Sequence, residues 1–86
     1  MAQYFLYILK SESAGRKYIG STGNLKERLK KHNNGGVRST KPYRPWKILH
    51  TESFSSRTEA RQRETELKRN NKKRELLYNK IDGPIV

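Results

Sequence analysis

Tyr4-Phe5-Leu6-Tyr7-Ile8-Leu9-Lys10 is aromatic and aliphatic without interruption from Tyr4 to Leu9, and this run decides the fold. A strand with one solvated face alternates polar and apolar residues, whereas one covered on both faces reads as a continuous apolar run. The segment is therefore expected to be a central strand. Ser11 to Gly15 supplies turn chemistry, and Arg16 to Ser21 offers a second short strand, so the two form a hairpin. Gly20 either ends that strand or lets another group approach its backbone closely.

Downstream, Asn24 followed three residues later by Glu27 resembles a capping box, and Gly35-Gly36 stops the helix it opens. At about 100° per residue, Leu25, Arg28, Leu29 and His32 share one sector of that helix. The segment Gly35 to Lys47 is a loop in which Arg38, Lys41, Arg44 and Lys47 are interleaved with Tyr43 and Trp46. Cations for phosphate beside rings for bases suit nucleic-acid binding. Equally, Trp46 could open the next strand and cover the core. That third strand is expected over Trp46 to Phe54, with Ile48 and Leu49 as core candidates. Ser56-Arg57-Thr58-Glu59 is a capping box, predicting a helix from Arg57 to about Arg69. Asn70-Asn71 marks a break, Lys72 to Tyr78 a short last helix presenting Leu76 and Leu77, and Asp82-Gly83-Pro84 a loose turn. The predicted class is α+β, a small three-stranded antiparallel sheet flanked by helices in the order β-β-α-β-α-α. One domain is expected over residues 1–80, with a short tail over 81–86.

Composition narrows the function. The chain has 86 residues, and 20 Lys plus Arg against 8 Asp plus Glu give a net charge of +12. Such a field attracts polyanions, of which nucleic acid is the commonest in a cell. Without cysteine, disulfides, thiolate chemistry and zinc ribbons are excluded. The longest apolar run is far shorter than the ~20 residues of a membrane helix, and no basic region precedes it. No signal peptide or membrane anchor is expected, and a cytoplasmic location fits.

In so small a core a polar group on an apolar face needs explaining. Arg28 and His32, one turn apart, could hold a phosphate oxygen and move a proton, or could be a snorkelling arginine and a structural histidine. Ala60, Glu64 and Leu67 recur at i, i+4 and i+7, which sets a carboxylate between two packing residues. An unpaired buried carboxylate is costly, so Glu64 should take either a salt bridge to Arg28 or one hard divalent ion, Mg²⁺ or Mn²⁺. Tyr7 and Tyr18 lie on adjacent strands, where a phenol with a lowered pKa could act as base. Simple packing is the competing explanation for both.

Tyr7, ten intervening residues and Tyr18-Ile19-Gly20, then Ser21-Thr22-Gly23-Asn24-Leu25 through Arg28 and His32-Asn33, and last Glu59-Ala60 with Glu64 and Lys68, form an ordered set of spaced motifs. The set resembles the GIY-YIG nuclease superfamily from Tyr4 to Leu77, most closely its small single-domain bacterial members, and Pro45-Trp46 after Asn34-Gly35-Gly36 belongs to the likeness. Phe5-Leu6 departs from the family's namesake motif where Gly-Ile would stand. The resemblance implies a metal-dependent endonuclease, with DNA a better candidate than RNA. By the same likeness Tyr7 and Tyr18 help activate water, Arg28 holds the scissile phosphate, His32 assists proton transfer, and Glu64 binds a single metal ion. An asparagine often follows that glutamate in the family, and Asn79, beyond the Asn70-Asn71 break, could match it. The core is also similar to that of a eukaryotic nuclease subunit that cuts branched DNA, so selectivity is expected from substrate shape or a partner protein. The alternative is a basic nucleic-acid-binding module that keeps the fold without turnover.

Overall fold

The structure, a computed structural model, describes residues 3–83. Its elements are β1 (Tyr4–Ser11), β2 (Lys17–Thr22), α1 (Leu25–Asn33), a single 3₁₀ turn (Lys41–Tyr43), β3 (Trp46–Phe54), α2 (Arg57–Arg69) and α3 (Asn71–Asp82). The strands form one antiparallel sheet in the order β2-β1-β3, so the apolar run is the central strand. Residues Leu6 to Leu9 are all buried. Their side chains divide between two clusters as the pleat requires. Leu6 and Ile8 join Ile19 and Leu67 on the side covered by α2 and α3, while Tyr7 and Leu9 join Trp46 on the side covered by α1. No helix among the described residues is long and apolar enough to cross a membrane.

The ends of α1 and α2 fall where the sequence places them, because each has its own hydrogen-bond partner. Asn24 Oδ1 accepts the Glu27 amide at 3.1 Å and Ser56 Oγ accepts the Glu59 amide at 3.2 Å. At the far end of α1, Gly35 adopts φ 81°, which lets its own amide reach the His32 carbonyl at 3.3 Å and the Gly36 amide reach the Lys31 carbonyl at 2.9 Å. This paired closure satisfies carbonyls that the helix leaves open. Asn70 both ends α2 and caps α3, accepting the Lys73 amide at 3.0 Å.

Three expectations are corrected. Ile48 is 39% exposed. A bulge in β3 pairs Ile8 with His50 and Leu9 with Ile48, leaving Leu49 unpaired. Leu49 then packs against the α2 side, and Ile48, paired with Leu9 on the other face, is left partly uncovered at the edge of the sheet. The last helix does not end at Tyr78 but continues to Asp82, whose carboxylate holds Lys10 at 2.7 Å and Lys17 at 3.2 Å. Ile81 and Asp82 therefore belong to α3, and Pro84 lies outside the described residues. Leu77 packs on the core, whereas Leu76 is 62% exposed.

Trp46 takes the core alternative. It is 4% exposed, and its indole N–H donates to the Thr40 carbonyl at 2.9 Å. The Asn33 side chain meets its backbone like a neighbouring strand, with Nδ2 donating to the Trp46 carbonyl at 3.0 Å and Oδ1 accepting the Trp46 amide at 2.6 Å. This clasp ties the end of α1 to the start of β3. Asn33→Ala strips both bonds and leaves partly buried backbone groups unpaired, so it should destabilise the fold by about 2 kcal/mol. Urea unfolding followed by the fluorescence of Trp46 measures this, and a loss below about 0.5 kcal/mol, within the range of ordinary surface substitutions, would show that the clasp is replaced by water.

Candidate active site

A cleft of about 560 Å³ lies along the edge strand β2, between α1 and α2, and Tyr7, Tyr18, Arg28 and Glu64 all line it. The two phenols come from paired strands, the guanidinium from α1 and the carboxylate from α2. The expectation that Glu64 turns inward beside Ala60 and Leu67 holds: those two are buried, and the Glu64 side chain is 22% exposed at the cleft.

Tyr7 is placed by what Gly20 lacks. The two residues face each other across β1 and β2, and a Cβ on Gly20 would come within 2.5 Å of the Tyr7 hydroxyl. Only glycine lets the phenol lie against that backbone. The hydroxyl then reaches His32 Nε2 at 3.0 Å, and His32 Nδ1 reaches Thr40 Oγ1 at 2.8 Å. Thr40 Oγ1 donates to the Val37 carbonyl at 3.2 Å, so it accepts from His32 Nδ1–H. That leaves Nε2 as the acceptor of the Tyr7 proton and the phenol oxygen's lone pairs free toward the cleft. His32 and Thr40 are almost fully enclosed, at 0% and 1% exposure. Histidine thus stands behind the cleft, where it can touch a reacting group only through Tyr7.

Burial sets the proton affinities. Desolvation pushes the Tyr7 phenol well above the usual tyrosine range, reinforced by Tyr18 and only partly opposed by Arg28. The expectation of a lowered phenol pKa is therefore overturned for Tyr7, which keeps its proton. His32 is shifted down from the ordinary 6.5 by desolvation first, then by Arg28 and Lys31, so its imidazole is neutral at pH 7.

Glu64 does not pair with Arg28. Its Oε2 accepts from Lys68 Nζ at 2.7 Å, one helical turn on, and its Oε1 accepts from Ser21 Oγ at 2.6 Å. Arg28 makes no side-chain hydrogen bond or ion pair with any described residue, which leaves a planar, uncommitted cation on the wall of the cleft. No group of three or more His, Cys, Asp or Glu that could hold a metal ion occurs among the described residues. The donor set here is one carboxylate with hydroxyls nearby, which fits a hard ion that keeps most of its waters and does not fit zinc. Lys68 is half-exposed and can yield its place on Glu64.

The interleaved loop is not part of this cleft. Arg38, Lys41, Tyr43, Arg44, Trp46 and Lys47 are all absent from its walls. Trp46 is buried and cannot stack on a base. Tyr43 packs against the Tyr7, Leu9 and Trp46 cluster, with the Arg16 guanidinium 4.3 Å above its ring. Arg44 Nε is spent on the Lys41 carbonyl at 2.8 Å. Asn79 is exposed on α3 and also lies off the cleft. Sequence reasoning missed Ser21 and Thr40 as partners of the site, and Arg57 and Arg61 as part of its wall. The arginines carried a signal, a repeat at i and i+4 beginning at the helix cap, whereas nothing local marks Thr40.

Residues 3–79 match the family described as the GIY-YIG catalytic domain. The chain is similar to the UPF0213 protein YazA of Bacillus subtilis, at 38% identity over 76 residues, covering 87% of this chain and 76% of that one. It is also similar to the UPF0213 protein SH2523 of Staphylococcus haemolyticus, at 41% identity over 69 residues, covering 79% and 83%. The solution NMR structure of the UPF0213 protein BH0048 from Bacillus halodurans superposes with a TM-score of 0.58 at 33% identity, covering 95% of this chain and 88% of that one. With a three-stranded sheet in the order β2-β1-β3, helices in the expected places and a match over nearly its whole length, the chain belongs to the GIY-YIG family and carries its nuclease-type fold.

Proposed function

We propose that the protein is a divalent-metal-dependent endonuclease that hydrolyses phosphodiester bonds in DNA. The observation that supports this best is the single cleft in which an uncommitted Arg28 shares the wall with Glu64 and the Tyr7 phenol. Arg28 takes the non-bridging oxygens of the scissile phosphate through its fixed fork of donors. Attacking water gives its proton to the Tyr7 oxygen as the Tyr7 proton passes to His32 Nε2. Hydroxide adds to phosphorus, and the bond to the leaving oxygen breaks. Tyr18, also on the wall, orients that water. Glu64 would hold one Mg²⁺ or Mn²⁺ in place of Lys68, and the ion when bound supplies charge stabilisation to the leaving oxygen.

Low base specificity belongs to this proposal, because base edges are read by elements seated in a groove and, among the described residues, the connections beside the cleft, from Thr22 to Leu25 and from Phe54 to Arg57, are too short to enter one. Selectivity would then come from the shape of structured or branched DNA, or from a partner protein, and the enzyme would work beside DNA in the cytoplasm. One observation favours a second reading, a non-catalytic binding module: Glu64 is already neutralised by Lys68. Such a module would bind nucleic acid without regard to Mg²⁺.

Glu64→Gln keeps the shape of the side chain and removes its charge, so metal-dependent cleavage of duplex and branched DNA should fall by about a hundredfold or more, and Arg28→Ala should cost about the same. Gel assays with Mg²⁺ or chelator decide between the readings. Cutting that is equal in chelator, or that persists in Glu64→Gln, counts against the metal.

The relay also fixes a pH dependence. Since His32 must be neutral to accept a proton, kcat/KM should fall in acid with a midpoint below 6.5, the ordinary value from which His32 is depressed. Stability changes in the same sense, because the unfolded chain takes up that proton near 6.5 while the folded chain resists. The contribution is whole above about 6.5 and is lost as the pH falls below it. Urea midpoints for wild type and His32→Asn between pH 7.5 and 5.5 report it, and parallel curves would refute the buried neutral imidazole.

A further inference from the structure

The faces of α2 are unusually well sorted. At about 100° per residue, Arg57, Arg61, Thr65, Thr58 and Gln62 fall in one sector of roughly 140°, and it is an open face of the helix. That sector contains no acid. Of the three acids on α2, Glu59 and Glu66 lie beyond the Gln62 edge, where Glu59 accepts from Ser55 Oγ at 2.9 Å and Glu66 from Arg63 at 2.6 Å; Glu64 lies about 20° beyond the Arg57 edge, on the cleft, where it is held by Ser21 and Lys68. Arg63 is further occupied by Glu52, at 2.8 Å. Arg57 and Arg61 make no ion pair with any described residue, and Arg57 is steadied over the Tyr4 ring, 5.6 Å from its centroid.

This face is continuous with the active cleft. Arg57, Arg61 and Thr65 form part of the cleft wall. A second, shallower groove of about 420 Å³, lined by Thr58, Arg61, Gln62 and Thr65, begins where the cleft ends and shares Arg61 and Thr65 with it. Every residue lining it is polar, two threonines, a glutamine and an arginine, whose side chains bond phosphate and sugar oxygens.

We propose that this face of α2 is the track on which the nucleic-acid strand leaves the cleft, with Arg57 and Arg61 taking the backbone phosphates next to the one held by Arg28. Thr58, Gln62 and Thr65 bond the sugar-phosphate backbone beyond. The occupant is set by charge complementarity: a cationic strip, continuous with a cleft of about 560 Å³ whose one carboxylate, Glu64, is paired with Lys68, suits a polyanion that passes through both. The inference rests on the endonuclease reading for the identity of the cleft, and it moves the main binding surface from the loop over residues 38–47 to α2.

Salt-dependent binding tests it. Anisotropy of a fluorescein-labelled flap DNA, in chelator, is measured from low to moderate salt for wild type, for Arg57→Gln/Arg61→Gln and for Arg38→Gln/Lys41→Gln. Removing one cation that neutralises a phosphate reduces the log–log slope by about 0.7 to 0.9. The α2 pair should therefore flatten the slope by about 1.5 and weaken binding at least tenfold at low salt, well beyond the loop pair. Glutamine keeps helix propensity, and unchanged circular dichroism confirms the fold. A weakening carried by the loop pair, or a slope unaltered in the α2 pair while wild type still cuts with Mg²⁺, overturns the track alone. An α2-dependent slope in a protein that never cuts keeps the track and sinks the endonuclease reading.

Discussion

β1 is hydrogen-bonded along both edges and covered on both faces, and the candidate site depends on that confinement. A residue in the middle of such a strand has no freedom to swing out. Tyr7 sits there, opposite Gly20 on one side and Thr51 on the other, with its ring against the bare backbone of β2. Its side chain forms part of the cleft wall, with the hydroxyl held at His32. A phenol on a loop would have to be ordered when substrate arrives; here the sheet has done so already, at the cost of holding a polar group in a tight core. That cost is offset by the chain of hydrogen bonds through His32 and Thr40 to the Val37 carbonyl, and no buried side-chain polar atom among the described residues lacks a partner.

The same small core explains the arrangement of charge. With one buried cluster on each side of the sheet, ionised groups are pushed to the rims, and the rim between α1 and α2 gathers Arg28, Arg57, Arg61 and Lys68 around a single carboxylate. Like charges this close repel, and their repulsion is relieved when a phosphate enters. Lys68 on Glu64 is the local version of that balance: the ammonium holds an otherwise under-paired acid in place until another cation takes it over.

How far the sequence reveals this depends on whether the cause is local. The doubly covered strand is legible because burial on both faces leaves no polar residue in the run, and the helix starts are legible because caps are made by the residues that spell them. The placement of Glu64 is legible too, since spacing alone sets it between Ala60 and Leu67. Ile48 is misread because a bulge reverses which side a residue faces, and no residue announces the bulge. Trp46 is open between two roles until Asn33 and Thr40, distant in sequence, are seen to hold its backbone and its indole. The partners of Glu64 and the raised proton affinity of Tyr7 are properties of the assembled cleft, so residue identities suggest candidates for them but do not choose.

Burial that raises the phenol and depresses the imidazole looks hostile to base catalysis, yet a relay turns it to use. If the water proton reaches Tyr7 as the Tyr7 proton leaves, the phenol is neutral before and after, and its reluctance to ionise is never tested. The remaining cost is a charged His32 in a dry site beside Arg28, one of the groups that lower its affinity for protons. A phosphate bound to Arg28 cancels much of that positive field. In the proposed reaction substrate binding therefore makes His32 a stronger base at the moment a base is needed, and the site stays poorly reactive toward water when no phosphate is there.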